Sequence, residues 1–205
     1  MFSRIKDAVK AFEARRFCII FSEEENEADL ACPADGITAA GILFMARVAS
    51  GLLCLALPKS RLRQLEIDVL PSRYRVQDTP FYQSVDAIGV KSGVSAKDRC
   101  HTIKKIIDPG TKPSDLSRPG HLQLLGACDS ILERDGHTEG VIELTRLAGL
   151  YPAGVLCELI SDSGDMMTAK ELKALATKFN LPIVTVGALA KFARSLLAKK
   201  KVAGT

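Results

Sequence analysis

Four short apolar runs set the frame for this chain: residues 17–21, 30–34, 52–57 and 155–160. Each is the length of a strand and is bounded by Pro or by charge, so each reads as a buried β-strand. A core strand tolerates a carboxylate only if it is paired or has a task. Glu158, inside Val155-Leu156-Cys157-Glu158-Leu159-Ile160, is therefore the first candidate functional residue.

The segments between the runs alternate helical spacing with turn chemistry. Ile5, Ala8, Val9 and Phe12 line one face of a helix over 4–16. Thr38 predicts the N-cap of a helix to about Val48. Ser95 predicts the cap of a helix that begins at Ala96 and stops at Asp108-Pro109-Gly110. The middle of the chain reads as a short helix at 60–67, an irregular stretch at 68–80 and a strand from Tyr82 to Ile88. Loops follow at 89–94 and 111–120, with a strand at 121–125. Gly136-His137-Thr138-Glu139 opens a helix to Ala148 that Gly149 closes. Residues 168–179, 182–186 and 187–198 read as helix, strand and helix. Strands and helices mix without strict alternation. The expectation is one domain over 1–198, an α/β (α+β) sandwich of a mixed sheet with flanking helices, then a basic flexible tail at 199–205.

Hydrophobic residues make up 47% of the 205, enough for such a core, and with no Trp it is built of Leu, Ile, Val and Ala. The net charge is +4, and the run Lys199-Lys200-Lys201 reads as a solvated tail rather than a nucleic-acid arm. The six cysteines form no CxxC pair, which argues against zinc and for buried thiols in a reducing compartment. No stretch is long and apolar enough to span a membrane, and the N-terminus has no apolar signal region. A soluble cytoplasmic protein with no membrane or nucleic-acid partner is expected.

Two polar clusters flank the apolar runs. The first is Glu23-Glu24-Glu25-Asn26-Glu27-Ala28-Asp29. If residues 25–30 are extended, Glu25, Glu27 and Asp29 share one face, and either a hard divalent cation or a solvated acidic turn would account for them. The second, Arg134-Asp135-Gly136-His137-Thr138-Glu139, gathers a guanidinium, an imidazole and a hydroxyl at a helix start. Free N–H groups there favour anions, so a phosphate cradle and an ordinary capping turn both fit. His121, after Arg118-Pro119-Gly120, either organises a site or satisfies a loop, and Cys54 reads as a core thiol. If the two clusters meet in space, they suggest a divalent metal and an anionic substrate.

In combination, these segments resemble the 3,4-dihydroxy-2-butanone 4-phosphate synthase family over nearly the whole chain. The resemblance rests on Glu25-Asn26-Glu27-Ala28-Asp29-Leu30, Ser50-Gly51-Leu52-Leu53-Cys54, Gly93-Val94-Ser95-Ala96-Lys97-Asp98-Arg99 and Arg118-Pro119-Gly120-His121. It continues through Gly136-His137-Thr138-Glu139, Leu147-Ala148-Gly149-Leu150 and Pro152-Ala153-Gly154-Val155-Leu156-Cys157-Glu158. It implies a homodimeric α/β sandwich with sites near the subunit interface. Such a protein uses Mg2+ (or Mn2+) to convert ribulose 5-phosphate into 3,4-dihydroxy-2-butanone 4-phosphate and formate. The resemblance implies metal roles for Glu25 and His137. It implies substrate contacts from Glu24, Glu25, Asp29, Glu158 and the loop Arg134, Asp135, Gly136, His137, Thr138, with Arg134 and Thr138 toward the phosphate. Glu27, Cys54 and His121 would lie in or beside the pocket and complete the catalytic set with Asp29 and Glu158, the carboxylates and a histidine moving the protons.

The chain departs from the family pattern near that pocket. Glu23-Glu24 stands where the family carries Asp-Arg, which reverses a charge. Val48 replaces a His, Lys91-Ser92 replaces Thr-Thr, and Tyr82 and Gln83 replace Thr and Val. Lys91 is expected to supply the lost positive charge. A working synthase with a rearranged anion site is one expectation. A diverged paralogue using the same enediolate chemistry on a sugar phosphate is a second, and a non-catalytic binding subunit a third. Retention of Glu25, His137, Thr138 and Glu158 argues against the third.

Overall fold

The computed structural model describes residues 4–71 and 79–203, with side chains as far as Lys199. Seven strands form one mixed sheet: β1 (Cys18–Ser22), β2 (Glu27–Pro33), β3 (Cys54–Pro58), β4 (Phe81–Ala87), β5 (Leu116–Ala127), β6 (Gly154–Glu158) and β7 (Ile183–Thr185). Their spatial order is β4-β5-β3-β6-β2-β1-β7. The β1–β7 and β3–β5 pairs are parallel and the other pairs antiparallel. The helices are α1 (Ile5–Glu13), α2 (Ala39–Val48), α3 (Lys59–Gln64), α4 (Ala96–Ile107), α5 (His137–Leu147), α6 (Ala169–Phe179) and α7 (Val186–Ala203).

The apolar runs are continuous because the sheet is covered on both faces. Leu30, Leu55, Val155 and Cys157 point one way, onto Ile42 and Met45 of α2, Leu62 of α3, Ile103 of α4 and Leu172 of α6. Ala31, Cys54, Ala56 and Leu156 point the other way, onto Phe12 of α1, Val141 and Leu144 of α5 and Leu189 of α7. The result is a three-layer sandwich in which truncating fully buried Leu55 to Ala would cost about 3 kcal/mol. Thr38 Oγ1 accepts from the Gly41 N–H and Ser95 Oγ from the Asp98 N–H, so both helices begin where their caps predict.

Several boundaries differ from the sequence expectation. Residues 116–120, expected as loop, belong to β5. Pro119-Gly120 is accommodated there because the β4–β5 register shifts: Val85 pairs with Leu122 but Asp86 with Ser117. Pro119 therefore needs no ladder hydrogen bond, and Gly120 lies so close to the Val85 carbonyl that a Cβ would collide with it. β2 starts at Glu27, after a turn in which Asn26 takes φ 53°, so Glu25 does not share the strand face of Glu27 and Asp29. Glu158 is the last residue of β6 rather than an interior one. α7 runs to Ala203, so the expected tail is helical from residue 199 to that point. Of the stretch expected to be irregular, residues 72–78 lie outside the described residues. No helix among the described residues is long and apolar enough to cross a membrane.

Candidate active site

The two polar clusters meet at one end of the sheet, on the face that α5 covers. Asp29 on β2 lies directly opposite Glu158 on β6. By strand alternation both share the face of Ala31 and Leu156, the side of α5. α5 opens with His137, and the turn between β1 and β2 brings Glu25 to it.

His137 is held at both nitrogens. Nδ1 is 3.3 Å from Glu25 Oε2, and Nε2 is 3.2 Å from the Glu27 carbonyl oxygen. A carbonyl only accepts, so Nε2 carries the hydrogen and Nδ1 is the nitrogen turned to Glu25. Burial alone would push the imidazole pKa down. The charge of Asp29, the hydrogen bond and charge of Glu25 and the Glu27 carbonyl outweigh it and raise the pKa to about 9. Glu25 is held below the usual carboxylate range, chiefly by its hydrogen bond to His137 and against the effect of burial.

Asp29 is raised to about 7, chiefly by burial, with the charges of Glu158, Glu27 and Glu25 adding and that of His137 opposing. A carboxyl group that is half protonated near neutral pH can both take and return a proton. Glu158 Oε2 accepts from the Leu52 N–H at 2.7 Å, which fixes the carboxylate at the lip of the sheet. The Cys54 thiol faces the same side. Burial first, then the Glu158 and Asp29 charges, push its pKa far up, so it is an uncharged thiol rather than a nucleophile.

Among the described residues no group of three or more His, Cys, Asp or Glu side chains could hold a metal. Glu25 and His137 could together offer one carboxylate oxygen and one imidazole nitrogen to a cation. A hard divalent cation that keeps several waters and takes substrate oxygens needs no more than this. The imidazole is already oriented by a carbonyl on its far nitrogen, as metal-bound histidines usually are. The donors therefore fit Mg2+ and also Mn2+.

The Arg134–Thr138 segment is built differently from a simple cradle. Arg134 Nη1 lies 2.8 and 3.1 Å from the two carboxylate oxygens of Glu139, and Nη2 donates to Thr79 Oγ1 at 3.0 Å. Glu139 is buried and also accepts from the Cys128 N–H at 3.0 Å. It is the anchor of Arg134, a role that its place in a capping pattern hid. Thr138 is buried, Asp135 is exposed, and Gly136 caps α5 without a side chain. The first-turn N–H groups of α5 are thus left for an anion.

His121, Lys91 and Glu24 stand apart from the cluster. Cys54 pairs with both Gln123 and Leu156, which sets His121 level with Glu158 but with β3 between them. That is two strand spacings, about 10 Å. His121 meets Asp86 instead, Nδ1 to Oδ2 at 2.6 Å. Asp86, a carboxylate in a strand, carries the same sequence signal as Glu158. Lys91 is exposed on the loop after β4, while Glu24 is exposed on the β1–β2 turn four strands away, about 19 Å. Within one chain Lys91 does not reach the position of Glu24. Val48 packs into the core on the opposite face of the sheet.

Comparison with known proteins agrees with this architecture. The sequence model of the 3,4-dihydroxy-2-butanone 4-phosphate synthase family matches residues 6–192. A 3,4-dihydroxy-2-butanone 4-phosphate synthase of Shewanella baltica is 40% identical over 201 residues, 96% of this chain and 93% of its own. The riboflavin biosynthesis protein RibBA of Cytophaga hutchinsonii is 42% identical over 194 residues, 92% of this chain and 48% of its own. A crystal structure of a 3,4-dihydroxy-2-butanone 4-phosphate synthase in complex with two magnesium ions superposes with a TM-score of 0.90 at 30% identity, covering 95% of this chain and 98% of its own. The chain belongs to the 3,4-dihydroxy-2-butanone 4-phosphate synthase family. It spans about half or less of the length of the RibBA relatives it matches.

Proposed function

We propose that this chain is a Mg2+-dependent lyase that converts ribulose 5-phosphate into 3,4-dihydroxy-2-butanone 4-phosphate and formate, a step of riboflavin biosynthesis. The observation that carries this reading is the contact of His137 with Glu25 beside the opposed carboxyl groups of Asp29 and Glu158. Bound between Glu25 and His137, Mg2+ would polarise the sugar's oxygens and stabilise the negative charge that builds on them. Enolisation, dehydration and skeletal rearrangement each move protons. Asp29, whose carboxyl pKa burial raises to about 7, takes a proton from the sugar and returns it. Glu158, fixed by the Leu52 N–H, serves as the second proton carrier across the sheet. The first turn of α5 receives the phosphate, with Arg134 adding positive field from its anchorage on Glu139.

The functional unit on this reading is a homodimer. His121 is exposed and about 10 Å from Glu158. Leu52 and Val94, both half exposed, adjoin the Glu158 contact and Gly93 respectively. A second copy covering these apolar side chains would bring its His121 and Lys91 together to the sugar held by the first. The substitutions at Glu24 and Lys91 would then alter how the anion is approached, and the cluster that does the chemistry is intact. Formate release from ribulose 5-phosphate, abolished by EDTA and restored by Mg2+, tests the reaction. Formate release unaffected by Glu158→Gln would break the site assignment. Mixing inactive His121→Ala with inactive Glu158→Gln tests the dimer: recovered activity supports it, and none after subunit exchange refutes it.

A further inference from the structure

The β4–β5 register shift that accommodates Pro119-Gly120 also sets Asp86 against His121. Asp86 is 7% exposed, and both of its oxygens are used on one residue. Oδ1 accepts from the His121 backbone N–H at 3.1 Å, and Oδ2 meets His121 Nδ1 at 2.6 Å. A carboxylate only accepts, so Nδ1 carries the hydrogen and, in the neutral ring, Nε2 is bare. Among the described residues Nε2 has no partner, and the side chain is 52% exposed. The loop after β4 closes over the pair at Gly93, whose φ is 73° and where a Cβ would collide with Asp86 Oδ2 and His121 Nδ1. That loop is itself tied down: Asp98 Oδ2 accepts from the Ser92 N–H at 3.1 Å, the Ser92 hydroxyl at 3.0 Å and the Gly93 N–H at 3.2 Å. The imidazole is therefore held at its inner nitrogen and its backbone, with the outer nitrogen presented.

We propose that Asp86 is a positioning residue of the lyase reaction: it fixes His121 as the Nδ1–H tautomer and presents Nε2 to the substrate for proton transfer. The inference rests on the lyase reading above. Its bland competitor is that Asp86 only braces the β4–β5 irregularity. Asp86→Asn separates the two, because the His121 backbone N–H would keep an oxygen of the new amide in place. The amide NH2 then faces Nδ1, which must accept, and the ring hydrogen moves to Nε2. Both hydrogen bonds and the shape survive while the tautomer inverts, the same logic by which an amide disables a Ser-His-Asp triad.

The test pairs nitrogen NMR with kinetics. The chain has three histidines, His101, His121 and His137, so long-range 15N–1H correlation resolves each ring, with His121→Gln assigning the signal. The wild type should show His121 with hydrogen on Nδ1, and Asp86→Asn should show it on Nε2. The kcat for formate release should fall by about 100-fold or more in Asp86→Asn, with KM within about twofold. On a His121→Gln background Asp86→Asn should cause no further loss. An Nε2–H ring in the wild type, a wild-type kcat in Asp86→Asn, or a full extra loss on the His121→Gln background would each overturn the proposal. A wild type that releases no formate would overturn the lyase reading and with it the catalytic use of His121. The tautomer inversion would still report, separately, whether Asp86 sets the ring.

Discussion

His137 and His121 are each gripped by a carboxylate, yet the two pairs are arranged in opposite senses. The His137 side chain is 11% exposed, with its Nε2 hydrogen on the Glu27 carbonyl and Nδ1 turned inward to Glu25. The His121 side chain is 52% exposed, with its Nδ1 hydrogen on Asp86 and Nε2 turned outward. Once it gives up the hydrogen it shares with Glu25, the His137 ring offers a lone pair among carboxylates, which suits a cation. The other offers a lone pair at the surface, which suits a proton in transit. The backbone sets the difference: a helix start drives His137 down onto the sheet, and a strand irregularity lifts His121 off it.

The predictions test this division of labour. The largest effect is expected from His137→Ala: formate release falls by at least about 1,000-fold, and Mg2+ affinity measured by calorimetry falls by about tenfold or more. Unchanged Mg2+ affinity would remove His137 from the cation. His121→Ala should lower kcat by about 100-fold or more while Mg2+ affinity stays at the wild-type value. Lost metal binding in that variant would collapse the comparison. The pH dependence should separate the two as well. Without metal His137 holds its proton below about pH 9, and a cation needs the nitrogen bare. Affinity should therefore rise with pH up to about 9 and fall about tenfold per unit as pH drops, with one proton released per cation. His137→Ala should abolish this slope and His121→Ala should keep it, as proton counting in buffers of different ionisation enthalpy would report. The smallest effect concerns the helix that carries His137. Glu139→Gln leaves Arg134 without its buried counter-charge and should cost about 2 kcal/mol, a fall in Tm of roughly 5 °C. An unchanged Tm would mean that the Arg134–Glu139 pair does not hold the start of α5.

Much of the fold is legible in the sequence because its signals are local. Thr38 and Ser95 cap the helices they announce, and strands covered on both faces leave uninterrupted apolar runs. β5 was harder to read, because Pro119-Gly120 carries the chemistry of a loop and only the shifted pairing with β4 shows that a strand can hold it. In the site, Glu25, Asp29, His137 and Glu158 stand out through charge next to apolar sequence, and the structure brings them together. Asp86 and Glu139 did not stand out, because each acts through a partner distant in sequence or hidden in a capping pattern. The expectation for Lys91 relied on charge alone, and charge carries no distance. The sheet order puts it four strands from Glu24.

Glu25, His137, Asp29 and Glu158 together form the proposed lyase site. It is tested most directly by following ribulose 5-phosphate with the purified protein and Mg2+ by NMR, counting formate against the four-carbon phosphate. The two should appear in equal amounts as the sugar disappears, and neither should form with EDTA present. Sugar consumed without formate, or not consumed at all, would contradict it.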